Sequence, residues 1–79
     1  MRLRPAVADA LRRHAIAVGG SDTPASLRER LNDRYLEDVR RLKARRKAGE
    51  IPAAEYAGHA EALKESYPLL GLPLELWVE

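Results

Sequence analysis

Cysteine is absent from this 79-residue chain, so neither a disulfide nor a thiolate metal cluster can staple it. The same absence fits a reducing, cytoplasmic setting. Phenylalanine and glutamine are missing too, and Trp77, Met1 and Asn32 are each alone of their type. Long apolar runs are also lacking: the longest uncharged stretch, Ser66 to Leu74, falls far short of the ~20 apolar residues of a membrane span. Near the N-terminus, Asp9 and Arg12-Arg13-His14 interrupt the apolar core that a secretory signal needs. No membrane partner is expected. Gly19-Gly20 has no following Gly or Lys at the spacing of a phosphate-binding loop.

The hydrophobic class makes up 46% of the residues, but 13 of its members are Ala, which leaves 23 larger apolar side chains. Burying a large side chain is worth roughly 1.5–3 kcal/mol, while ordering each residue costs about 1.5 kcal/mol. Over so short a chain the two nearly cancel, so an external staple is expected. With disulfides and metal clusters excluded, oligomerisation remains, a homodimer first among the options. Arg outnumbers Lys 11 to 3, and thermolabile side chains are few. A thermophilic source and a GC-rich genome account for this bias equally well.

What the sequence does contain is three helical patterns in one small all-α domain, residues 1–79. The first spans about residues 5–18, with Pro5 at its first position and Val7, Leu11, Ala15 and Val18 at helical spacing until Gly19-Gly20. The second covers about residues 24–48. Thr23 caps its first turn, Pro24 opens it, Gly49 provides a left-handed stop, and Leu27, Leu31, Tyr35, Val39 and Leu42 form a stripe that Leu36 widens. The third covers about residues 53–67 between Pro52 and Pro68, with Tyr56, Ala60, Leu63 and Tyr67 as its stripe. Only residues 49–52 join the last two, which forces a long antiparallel hairpin. At the ends, alternation in residues 1–4 and 74–79 leaves two readings open. One is a short ribbon that sets Arg2 and Arg4 opposite Glu75 and Glu79; the other is a final helical turn after Pro73.

Residues 42–63, LKARRKAGEIPAAEYAGHAEAL, carry Gly49, Ile51, Glu55, Tyr56 and Leu63 at a mutual spacing that resembles the SHOCT motif. That motif is a short helical hairpin often appended to bacterial proteins. Here Pro52 stands in place of its usual Ser/Thr cap, and Ala60 stands where Lys is common. The resemblance implies an interaction or oligomerisation hairpin without catalytic residues.

The formal net charge of +2 averages over a strong division. Residues 24–49 carry nine Lys or Arg against four acids, whereas residues 50–79 carry six Glu against Lys64 alone. Within the second helix, Glu37–Arg41 and Arg34–Asp38 are spaced to pair. Beyond them Arg40, Arg41, Lys43, Arg45, Arg46 and Lys47 form a basic patch with no acid among them. Three readings apply. The cations complement the helix dipole and pair with Glu50, Glu55, Glu61 or Glu65; or they meet an acidic protein; or they contact nucleic acid phosphates.

Catalytic chemistry finds little footing. Ser21, Ser26 and Ser66 lack a strand–turn–helix setting, and His14 reads as a partly buried structural histidine. Glu55 and His59, four residues apart, supply at most two metal ligands. No catalytic residue, metal or cofactor is expected. The apolar tail is the more promising feature: Leu69, Leu70, Leu72, Leu74, Leu76 and Trp77 either close the chain's own core or form a partner or oligomer interface. The functional expectation is a non-enzymatic protein–protein interaction or oligomerisation module, with a basic-helix nucleic-acid accessory protein as the alternative.

Overall fold

A computed structural model describes all 79 residues. The chain is all-α. Three helices, α1 (Pro5–Arg13), α2 (Pro24–Lys47) and α3 (Ala53–Glu65), are followed by two single 3₁₀ turns at Pro68–Gly71 and Leu74–Leu76. No strand forms.

Local chemistry explains most of the boundaries. The Thr23 hydroxyl accepts from the Ser26 backbone N–H at 3.1 Å, and the Ser26 hydroxyl accepts from the Thr23 N–H at 2.9 Å. This reciprocal cap satisfies two of the first-turn donors of α2, and Pro24 lacks a third. At the far end Gly49 adopts φ +78°, and its N–H and that of Glu50 return to the carbonyls of Arg46 and Arg45. That is a Schellman termination, built on the one residue type that enters the left-handed region freely.

The first helix is shorter than its hydrophobic period suggests. It ends at Arg13, five residues before the expected stop at Val18. Ala15 takes φ +57°, and the N–H groups of Ala15 and Ile16 bond back to Arg12 and Leu11. The same Schellman geometry therefore closes α1 without glycine. Its reward is the burial of Ile16 against Leu11, the hydrophobic contact that accompanies the motif. Ala15 and Val18, expected on the apolar stripe, are exposed instead.

The following loop is tied to α2 by one acid. Asp22 accepts from the Gly19 N–H at 2.7 Å, from the Ser26 hydroxyl at 3.0 Å and from Arg30 at 3.1 Å. The Gly19 donor foremost, then the Ser26 hydroxyl, hold its carboxyl below the ordinary carboxylate range. Arg30 also donates to the Ala17 carbonyl at 2.8 Å, so one guanidinium anchors both sides of the loop.

The core lies at one end of the molecule. Val7, Ala10, Leu11 and Ile16 pack with Leu27 and Leu31 of the N-terminal half of α2, and Tyr67, Leu69 and Trp77 close the cluster. Both readings of the ends are realised in part. A 3₁₀ turn follows Pro73, and Leu3 then forms a single antiparallel bridge with Val78. Arg2 lies 3.7 Å from Glu79, and Arg4 donates instead to the Val78 carbonyl at 3.1 Å.

From this globular end α2 and α3 run on as a two-helix arm, giving dimensions of 44 × 18 × 16 Å. Beyond Tyr35 only Leu42 and Ile51 are buried on the arm, and α3 contributes no buried residue at all. The expected stripe of α3 is half-buried at Tyr56, Ala60 and Leu63; Tyr67 is buried, but it lies past the end of the helix. Leu36, expected to widen the stripe of α2, faces solvent at 42% exposure.

Candidate interaction surface

Of the two destinations open to the tail, the structure shows the chain's own core. Trp77 is fully buried in the chain's own core, with its indole N–H donating to the Leu72 carbonyl at 3.1 Å. Leu69 is buried beside it, and Leu70, Leu72 and Leu74 are half-buried against the same cluster. Of the six tail residues taken as a partner or oligomer interface, only Leu76 stands out, at 40% exposure. The tail thus folds back on its own chain, over α1 and the first half of α2. Trp77 and Leu69 have no surface left for a partner. The physical reason is economy of core: α1 is only nine residues long and covers too little of α2 without the tail.

One aromatic cluster joins the globular end to the arm. The Tyr67 ring stacks on His14 at a centroid distance of 4.0 Å and meets the Tyr35 ring edge-on at 5.2 Å. His14 Nε2 donates to the Ser66 carbonyl at 2.7 Å, and the Tyr67 hydroxyl donates to the Asp38 carboxylate. Burial, reinforced by the Asp38 charge and hydrogen bond, pushes the Tyr67 phenol up to about 12. His14 is therefore structural in its contacts: it pins α1 to the junction after α3. Asp38 is engaged by Tyr67, and no ion pair forms between it and Arg34, contrary to the helical spacing. Its carboxylate is turned across the hairpin rather than along α2.

The basic patch is partly neutralised within the chain. Arg40 and Arg41 share Glu37 at 3.3 and 3.9 Å, Arg45 meets Glu50 at 3.4 Å, and the Arg46 guanidinium lies 4.8 Å above the Tyr56 ring. Lys43 and Lys47 have no such partner. Among the acids expected opposite the patch, Glu50 alone pairs with it; Glu55, Glu61 and Glu65 sit on the exposed surface of α3. All of these pairs are solvent-exposed, worth about 0–1 kcal/mol each. They tune the surface more than they hold it.

Glu55 and His59 border an open depression on α3 with Ala54, Gly58 and Ala62, and no third potential ligand reaches them. A more enclosed cleft of ≈ 410 Å³ lies where the arm leaves the core, lined by Asn32, Tyr35, Lys64, Tyr67, Pro68 and Leu70 among others. A second cleft, sharing Asn32 and Leu70, continues along α2 past Glu29, Arg28 and Ala25 to Leu74. No carboxylate pair or nucleophile–base pair is held in either. Sequence reasoning missed these clefts and the exposure of Leu36. The signal for Leu36 was present, since it lies about 100° around the helix from Tyr35, outside the buried stripe.

No protein-family model matches the chain, and no curated protein or solved structure shows significant similarity to it.

Proposed function

We propose that this protein is a non-enzymatic protein–protein interaction or oligomerisation module whose contact surface is the α2–α3 arm. One observation carries the reading: the arm projects from the core with α3 contributing no buried residue and Leu36 exposed on α2. Two helices expose apolar surface on the sides where neither covers the other, and a further helix or a second hairpin is the usual cover. The expected partner surface thus shifts from the tail to the arm. The SHOCT-like reading of residues 42–63 belongs to the same proposal, and the turn it needs is present: Gly49 is left-handed and Ile51 is buried.

Phosphate binding by the basic end of α2 is the weaker reading. Four of its six cations are engaged by Glu37, Glu50 or Tyr56, and no second aromatic accompanies Tyr56 to stack on bases. Sedimentation analysis at rising concentration tests the module reading. Reversible self-association in the micromolar range supports it, and a strict monomer with a sharp melting transition overturns self-association. Passage through a heparin column at low salt is expected; strong, salt-sensitive retention would favour the nucleic-acid alternative.

A further inference from the structure

The exposed side of α2 has a charge order that favours one particular partner. Leu36 lies near its middle, at 42% exposure. Seven residues before it stands Glu29, and seven residues after it stands Lys43. Seven residues make almost two helical turns, so the three side chains lie along one line, with each charge ~10.5 Å from Leu36. Asp33 and Arg40 repeat the pattern one turn closer in. Glu29, Asp33 and Lys43 are exposed, and none takes part in the six ion pairs of the chain. Arg40 is held only by an exposed contact to Glu37 at 3.3 Å.

A strip that is acidic on one side of its centre and basic on the other is complementary to its own reverse. A two-fold axis at Leu36, perpendicular to α2, sets Glu29 of one copy opposite Lys43 of the other and brings Asp33 within one residue of Arg40. Such an isologous contact makes every pair twice. A parallel pairing would instead set Lys43 against Lys43 and Glu29 against Glu29, which is repulsive.

The same line of α2 runs into the cleft that Ala25, Arg28, Glu29, Asn32, Leu70 and Leu74 border, where the Arg28 guanidinium is turned to the Leu70 carbonyl at 3.3 Å. In the reversed arrangement the partner's Lys43–Lys47 turn reaches this cleft. The methylene stems of its lysines then lie over half-buried Leu70 and Leu74, while their ammonium groups meet Glu29.

We propose that two copies of this chain pair antiparallel through α2, about a two-fold axis at Leu36, with Lys43 of each copy against Glu29 of the other. The proposal rests on the module reading above and names its partner as a second copy of the chain.

Cross-linking and charge reversal test it on the full chain. Because the protein has no cysteine, Leu36→Cys introduces a single thiol. A short bismaleimide is expected to link two such chains efficiently through the axis, while Ala54→Cys on α3 stays unlinked. Lys43→Glu and Glu29→Lys are each expected to weaken the dimer about tenfold by sedimentation, and the double variant to recover it. All these positions are exposed, and unchanged helical circular dichroism verifies the fold. A dimer that does not cross-link at position 36, or that the double charge swap fails to rescue, overturns this proposal and leaves the module reading standing. A strict monomer at high micromolar concentration overturns this proposal together with the oligomerisation half of the module reading.

Discussion

Two residues in the left-handed region illustrate how much a single side chain decides. Gly49 and Ala15 end their helices by the same backbone geometry, at φ +78° and +57°. A Cβ in that region costs roughly 1–2 kcal/mol, partly offset because alanine restricts the unfolded chain more than glycine. Ala15→Gly should therefore stabilise the protein by about 0.5–1 kcal/mol, and Gly49→Ala should destabilise it by a similar amount. Denaturant melts of the two variants give the comparison. If Ala15→Gly is destabilising, the left-handed termination of α1 is misassigned. The Gly49 stop was readable from sequence because glycine advertises it. The Ala15 stop was not, because alanine prolongs a helical pattern on paper and yields only to the pull of Ile16 into the core. Tyr67 offers a second test at this scale. Its phenol is pushed from the ordinary 10 to about 12, so the folded state favours the protonated form. The resulting stability is fully present below pH 10 and is lost as pH rises towards 12. Ultraviolet titration should show one of the three tyrosines ionising late, and Tyr67→Phe should remove that late step.

At the scale of elements, the tail behaves as a missing third layer rather than an appendage. Trp77 fills the space between α1 and the first half of α2, with no solvent exposure. Trp77→Ala should cost about 3–5 kcal/mol, and a chain cut after Pro68 should lose its cooperative melt. A truncated chain that still melts sharply would mean that α1 and α2 need no cover. The apolar content of residues 69–78 was plain in the sequence, and so was the need to bury it. Its destination was not, because burial in cis and in trans obey the same composition. The third helix shows the converse. Its period was legible, yet its residues stay half-exposed because only one neighbour packs against it.

The whole molecule is a small globular end with a protruding arm, and its stability should be distributed accordingly. Amides of Leu11, Leu27 and Leu31 should exchange only through global unfolding, whereas those of Val39–Ala44 and Ala57–Ala60 should open at lower free energy. Hydrogen exchange resolved by residue measures this gradient. Formation of the antiparallel dimer would raise protection around Leu36 first, since that is where a second helix would cover the arm. Uniform protection along α2 at low concentration would show the arm to be as stable as the core.

Three helices, a cap at Thr23, a glycine stop at Gly49 and a hairpin forced by a four-residue connection were determined by sequence alone. Each depends on neighbours within a few residues, where spacing and side-chain chemistry act directly. The tertiary structure alone decided that Trp77 and Leu69 turn inward and that Asp38 serves Tyr67 rather than Arg34. Those outcomes are set by competition between distant segments for the same apolar surface, a competition that depends on how the helices cross rather than on the order of residues along them.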